Sequence, residues 1–571
     1  MATQQALKPG VKRSQIRPGT GYGIVAPRGL DAAPAGARGS VNIDDGGGPV
    51  IDSIHVHLIF WGSAWNGSPN PSRADITNTV TSMVTGPYLS ALAQYRGIRR
   101  GLVVDQTSVT TSNPPNGFQD SDVSTMIQGL LNAGTVPEPD QDTRRVYMVF
   151  MPPGIGSSGT FTGEHTFFFF NDTDNPADSQ RVRFAWVTNN GTLDSVSEIT
   201  SHEIAEACSD PEGTAFQIQP RNPSSWNEIG DSGCGCQSVD ARLNGVLVQK
   251  YWSQRDNACV APDSDIIGLV GKVILGDTSS TDPALASHDE RLFLSWKGSG
   301  NENLNLMFSE DDGRTFVGKQ IFHDTSDTAP ALASHNGTLF LGWKGSGNDN
   351  LNVARVSLFA NSAGGFGIEG LTDKVTLGDT SSTSPALASH QGRLFLAWKG
   401  SGNDNLNLMF SEDGGRTFVG KRIFGDTSDS APALASHQGG LYLAWKGSGN
   451  DNLNVARVSF FQDTAGHFGI EGLTEKVILR ETSSTGPALV SHDERLFLGW
   501  KGSGNDNLNV NISYDRGRSF GEKRIFGDTS DTAPTLSLHA GGLFLGWKGS
   551  GNDNLNVARV DMYGSRPALV F

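Results

Sequence analysis

The residues with the clearest chemistry lie in "SEITSHEIAEACSDP", Ser197 to Pro211. On a helix, His202 and Glu206 stand one turn apart on one face, and Glu203 is rotated from them by about 100°. This is the spacing of H-E-x-x-H, in which two side chains hold a zinc ion and the glutamate takes a proton from the attacking water. Here Glu206 replaces the second histidine. A carboxylate oxygen is an accepted zinc donor, although its charge lowers the Lewis acidity of the ion. The bland alternative is an exposed polar pair on an ordinary amphipathic helix.

A zinc site needs further donors. Asp210 follows in "SDP", and Glu228 and Asp231 follow in "WNEIGDSGCGC". His165 in "GEHTFFFF" and His57 on an early apolar run are further candidates, and spacing does not choose among them. The four cysteines, Cys208, Cys234, Cys236 and Cys259, all fall in this region. The favoured reading joins Cys234 or Cys236 to Cys259 and the other to Cys208. A four-cysteine zinc site is the rival, but it lacks paired C-x-x-C knuckles.

Several elements must position these residues. "DSVSEITSHEIAEACSD" reads as a helix with Asp194 or Ser195 as cap and a Ser195–Glu198 capping box, stopped near Pro211. "IDSIHVHLIFWG", "RRVYMVFMPPG", "EHTFFFFND" and "RFAWVTNNG" read as strands. "DSDVSTMIQGLLNAG" is a helix, and "ADITNTVTSMVTGPYLSALAQY" is a helix broken near Gly86-Pro87. The alternation predicts an α/β domain over residues 41–262, preceded by a Gly- and Pro-rich arm over 1–40.

Beyond residue 263 the pattern changes. "LFLSWKGSGNENLNL" and its close copies recur around Trp296, Trp343, Trp398, Trp445, Trp500 and Trp547, at spacings that alternate 47 and 55. The unit is therefore a pair of 102 residues present three times. Each single repeat holds four strand-like pieces, the mark of a propeller blade, and six blades close a ring over 263–571. The tryptophans, with the adjacent Lys and Asn/Asp, are candidate glycan-binding groups, and six weak sites would act by avidity. The competing reading packs Trp between blades and makes "GSGNDN" a tight hairpin.

Two resemblances sharpen this. "SHEIAEACSDP", "EIGD", "YW" at Tyr251-Trp252 and "CV" at Cys259-Val260 resemble the EXORDIUM (phosphate-induced) proteins and bacterial zincin-like proteins of H-E-x-x-E type. That resemblance covers about residues 50–262 and implies a secreted protein with a zincin-like metal helix. "SEDDGRTF", "SEDGGRTF" and "SYDRGRSF" are similar to the Asp box of sialidase-like propellers, which implies fold rather than activity. A sialidase centre is not expected, because arginines are few and the repeats too alike to hold one unique site.

The net charge of -16 argues against nucleic acid and anionic membranes as partners. No apolar run has the length of a membrane span, and no export signal is legible at the amino terminus. The expectation is a monomeric zinc peptidase-like protein, extracellular by resemblance and cysteines with a cytoplasmic location as the alternative for want of an export signal, whose propeller binds a glycan or protein at a cell surface or matrix. The opposing class is a non-enzymatic lectin or adhesion protein with a structural amino-terminal domain.

Overall fold

The computed structural model describes residues 16–18, 23–25, 41–139, 142–171, 179–219, 227–360, 365–464 and 466–563. The chain divides into two compact units, the first ending at Asp265 and the second beginning at Ile266. Most of it is β structure.

In the first unit, β1 (Ile16–Pro18), β2 (Gly23–Val25) and β3 (Asn42–Asp45) precede β4 (Ser53–Trp61). Apolar side chains fill both faces of β4, with Ile54, Val56, Leu58 and Phe60 buried alongside Ile59 and Trp61. This is the composition of an interior parallel strand. Helix α1 (Arg73–Thr85) starts at a Ser72–Asp75 capping box and ends at Gly86, and a 3-10 turn over Pro87–Gln94 follows. Then come β5 (Arg99–Val109), α2 (Asp120–Asn132), β6 (Arg145–Phe150), β7 (Gly163–Asn171), β8 (Ser179–Val187) and α3 (Leu193–Ser209). The sheet runs β1-β7-β8-β6-β4-β5, with β2 also on β7. Strands β8, β6, β4 and β5 are parallel, and β7 is antiparallel to β8. Both short strands on β7 fall in the segment expected as an arm. Short ribbons complete the unit: β9 (Phe216–Gln219), β10 (Asp240–Leu243), β11 (Val246–Gln249), β12 (Tyr251–Ser253) and β13 (Ala258–Val260).

Helix α3 is capped by Thr192, whose hydroxyl accepts from Ser195 N at 3.3 Å, and not by the expected Asp194 or Ser195. It is enclosed on every side from Val196 to Ser209 except near Glu198. Two of its buried hydroxyls bond back to the helix, Ser201 to the Glu198 carbonyl at 2.7 Å and Ser209 to that of Ala205 at 3.1 Å. The exposed amphipathic helix of the bland reading is not formed.

The second unit is a ring of six four-stranded antiparallel sheets. Blade one comprises Ala284–His288, Arg291–Lys297, Asn303–Ser309 and Val317–Thr325. Its outer strand comes from the start of the next sequence repeat, because the first such strand, Ile266–Thr278, pairs with Asn554–Met562 and completes blade six. The blades are thus offset by one strand from the repeats as read in sequence. Ring closure by both ends of the repeat array sets this offset.

All six repeat tryptophans are 1 % exposed. Trp343 packs with Phe293, Leu306 and Phe308 of blade one, and Trp445 packs with Phe395, Leu408 and Phe410 of blade three. At that exposure the tryptophans pack between blades, as the competing reading has it, and Trp445 is also among the residues lining a hollow with Asn450, Asn452, Asn454 and Lys476. The lysines beside them are also engaged within the protein. Lys446 reaches Asp429 at 2.7 Å and Asp451 at 3.1 Å, and Lys344 and Lys548 make the same pairs of contacts. The second glycine of each "GSG", such as Gly449 at φ +72°, makes the tight turn.

Adjacent blades are laced by the serine of each "GSG". Ser401 donates to Asp349 at 2.7 Å, Ser448 to Asp404 at 2.6 Å, Ser503 to Asp451 at 2.6 Å and Ser550 to Asp506 at 2.8 Å. Ser299 donates to Asp553 at 2.5 Å and Ser346 to Glu302, which closes the circle of six links. In the Asp boxes, Asp413 accepts from Thr417 N at 2.9 Å and Thr417 Oγ1 at 2.7 Å, a turn-forming role.

Replacing Trp445 by Ala should destabilise the propeller by about 3–5 kcal/mol, the usual cost of deleting a large buried aromatic. Denaturant unfolding followed by the remaining tryptophan fluorescence checks this.

Candidate metal centre

Helix α3 carries His202, Glu203 and Glu206 into the interior, with exposures of 1 %, 0 % and 0 %. Strand β7 brings His165 to the same place, and the loop before β10 brings Glu228 and Asp231, all three at most 3 % exposed. His202 Nε2 lies 2.9 Å from Glu206 Oε2 and 3.9 Å from Asp231 Oδ1. His165 Nδ1 lies 3.2 Å from Glu203 Oε2 and 3.8 Å from Glu206 Oε2, and His165 Nε2 lies 3.6 Å from Glu228 Oε1. Two donor groups result, His202–Glu206–Asp231 and His165–Glu203–Glu206.

The hydrogen bonding is incomplete. Glu203 Oε1, Asp231 Oδ1 and both oxygens of Glu228 are buried without a hydrogen-bond partner, and His202 Nε2 and Glu206 Oε2, 2.9 Å apart, meet only each other. No Arg or Lys among the described residues pairs with these acids. Burying a carboxylate costs on the order of several kcal/mol unless a cation or a proton compensates it. Burial accordingly holds Glu203, Glu228 and Asp231 well above the carboxylate range, and neighbouring carboxylates add to the effect on each. For His202, burial opposes the charged ring, but the Glu206 carboxylate outweighs it and pushes the imidazole up to about 9. Orphaned oxygens and a ring nitrogen that converge in a dry interior fit a bound divalent cation, and the nitrogen and carboxylate donors suit zinc.

The surrounding elements are shaped to the cluster. Gly230 donates its N–H to Glu206 Oε1 at 3.1 Å. A Cβ there would stand 2.8 Å from that oxygen and 2.9 Å from His202 Nδ1. A Cβ on Gly163 would stand 2.7 Å from Glu203 Oε1. Gln249 on β11 sets its amide nitrogen 2.7 Å from His202 Nδ1 and 2.8 Å from the Gly230 carbonyl. Spacing gave no signal for these three residues, since strands and loops remote in sequence bring them in. Only the "E-I-G-D" glycine was visible, and without a role.

Two expected donors are absent from the cluster. Asp210 spends its carboxylate on Thr214 N at 2.6 Å, Ala215 N at 2.7 Å and Gln217 Nε2 at 2.8 Å, which fixes the turn after α3. Only its main-chain carbonyl meets the site, 3.3 Å from His165 Nε2. His57 bonds to Thr107 Oγ1 at 2.8 Å and joins neither donor group. The cysteines also differ from expectation. Cys236 is bonded to Cys259, but Cys208 and Cys234 are buried thiols, so the second disulfide and the four-cysteine zinc site do not form. Cys234 Sγ is turned to the carbonyls of Asp231 at 3.0 Å and Ile229 at 3.1 Å. Burial pushes both thiols up, away from reactivity. The disulfide anchors the loop carrying Glu228 and Asp231. It is also the feature that points to an extracellular location, since such bonds persist in oxidising compartments. Among the described residues no helix is long and apolar enough to cross a membrane.

No protein-family model and no curated protein matches the chain. Among solved structures, Trypanosoma rangeli sialidase aligns at 15 % identity and a TM-score of 0.38, over 52 % of this chain and 60 % of that one. A Hadza microbial sialidase aligns at 14 % identity and a TM-score of 0.36, over 61 % of this chain and 76 % of that one. The chain thus spans about three fifths of the T. rangeli enzyme. The propeller assignment rests on the strand pairing itself.

In the metal-free chain, protons must remain on buried carboxylates. Groups whose folded pKa is raised contribute stability at low pH that is lost as pH rises above their ordinary value of 4.5. Replacing Glu228 by Gln should therefore raise the melting temperature of the chelated protein at pH 8 and leave it nearly unchanged at pH 4, as measured by calorimetry.

Proposed function

We propose that the first unit is a zincin-like α/β domain that acts as a zinc-dependent peptidase-type hydrolase, secreted together with a propeller that binds a glycan or protein surface. The observation that carries the proposal is the set of buried donor atoms without hydrogen-bond partners around His202, Glu206 and Asp231. These three residues would hold the ion. Zinc supplies Lewis acidity toward a carbonyl and toward water. Spacing gives the proton-accepting role to Glu203, but its Oε2 is engaged by His165. Glu228 has both oxygens unpartnered, and we place the general base there. Were Nε2 of His202 to hold the ion, Nδ1 would face the Gln249 amide nitrogen, which is fixed in place by its bond to the Gly230 carbonyl and by Ser238 N donating to its oxygen.

A second reading is favoured by the near-complete enclosure of the cluster. Structural zinc sites are closed, and catalytic ones keep an open position. In that reading the ion only fixes α3 to the loop of Glu228 and Asp231. For the propeller, support comes from Ile274, Ile321, Ile423, Ile478 and Ile525, which occupy one position in five outer strands and are each more than half exposed. Ile478 lines a hollow with Asn450, Asn452, Asn454 and Lys476. An apolar patch beside planar amides suits a sugar ring.

The full chain, assayed by metal mass spectrometry and a peptide-library digest, tests this. Zinc should co-purify and be lost in His202→Ala. Glu228→Gln should keep zinc and lose at least 100-fold in cleavage rate. Zinc without cleavage, and with a lower melting temperature after chelation, would establish the structural reading. A folded chain without metal would overturn both.

A further inference from the structure

The cluster holds more donors than one ion needs. A four-coordinate zinc takes three or four protein donors, and six buried donor side chains converge here. They are not evenly spread. His202 and Asp231 lie to one side of Glu206, and His165 and Glu203 lie to the other. The oxygen facing both sides is Glu206 Oε2, 2.9 Å from His202 Nε2 and 3.8 Å from His165 Nδ1. Its partner oxygen, Oε1, is taken by Gly230 N. Donors about 2.0–2.2 Å from a tetrahedral ion stand roughly 3.3 Å from one another. The pairs at 2.9, 3.2, 3.8 and 3.9 Å bracket that value on both sides of Glu206.

We infer that the centre binds two divalent transition-metal ions that share Glu206. His202 and Asp231 complete the first site, and His165 and Glu203 complete the second. The inference rests on the metal-binding reading above and extends it from one ion to two. His165 is prepared for the role. Its Nε2 faces the Asp210 carbonyl at 3.3 Å and its Nδ1 faces Glu203 Oε2 at 3.2 Å, so with an ion bound the proton would sit on Nε2, donated to that carbonyl, and Nδ1 would be the ligand atom. Asp210, fixed by its three carboxylate hydrogen bonds, thereby acts as a positioning residue for the second site. Charge gives an independent reason. Four carboxylates surround two imidazoles, and one dication leaves the dry interior with uncompensated negative charge if all four ionise. Two dications offset it. Glu203 then serves as a ligand, and Glu228 remains as the carboxylate held by no donor.

The test is the metal stoichiometry of the full chain, and the wild type alone decides it. Chelated protein is titrated with Co(II), followed by absorption and by electron paramagnetic resonance, and zinc content is measured after reloading. Two ions per chain are expected, with loss of the Co(II) resonance at full loading as the two spins couple. His165→Ala should lower the content to one ion and abolish the coupling, and Glu206→Gln should reduce loading at both sites. One ion per chain, removed by His202→Ala and untouched by His165→Ala, would overturn the shared-ligand centre and leave the single-ion reading intact. No ion in a wild-type chain with an intact calorimetric transition would overturn both.

Discussion

The first unit is governed by charge neutrality in a place that water does not reach. Helix α3 turns its acids inward, so something must neutralise them. Protons can do so, as the raised carboxylates indicate, and a cation does so while also satisfying the orphaned atoms. Much of the nearby structure follows from this requirement. Glycine is needed at 230 because Glu206 and His202 approach the backbone too closely for a side chain, and at 163 because Ile199 and Glu203 do. The loop of Glu228 and Asp231 is held by Asp231 Oδ2 accepting from Glu228 N at 2.9 Å and by the Cys236–Cys259 bond. The turn after α3 is pinned by Asp210. A centre built from one helix, one strand and one loop is only as good as those restraints.

The propeller solves a different problem, since a ring of near-identical sheets has no unique fixed point. Its cohesion comes from repetition. Each tryptophan fills the space against the preceding blade, and each serine reaches back to an acid of that blade. Short hydrogen bonds at the rim contribute only modestly one at a time, and the buried aromatic area supplies most of the stability. The alternation of 47 and 55 residues survives in the fold as two kinds of outer hairpin. The shorter kind carries the Asp box, and the longer kind runs into fifteen-residue strands such as Phe366–Thr380.

Much of this was legible in sequence where the signal was local. Strand and helix positions followed from apolar runs and from Gly86-Pro87, and six blades followed from the tryptophan spacing. The pair His202 and Glu206 was visible from helical periodicity, and Glu228 and Asp231 as candidate donors just downstream of that helix. Failures came where a role depends on remote partners. Asp210 has a ligand's residue type and position, but three local donors consume it. His165 sits in a phenylalanine-rich strand, and only the pairing of β7 with β8, with α3 against it, turns it to the acids. The tryptophans looked like sugar platforms because composition cannot tell a blade's inside from its rim. The pairing of Cys208 failed because its thiol is buried on α3 while Cys236 is already bonded to Cys259. Blade boundaries slipped by one strand because a repeat has no intrinsic start.

The slipped strand also governs how the ring is made. Ile266 pairs with Met562 and Thr278 with Asn554, so the first strand of the propeller to be synthesised bonds to the last. Five blades can form in order as the chain emerges, each from contiguous residues, but the sixth waits for Asn554–Met562. During that interval Ile266–Thr278 has no strand partner. A ribosome that stalls before residue 554 leaves Ile266–Thr278 an outer strand without a sheet to join.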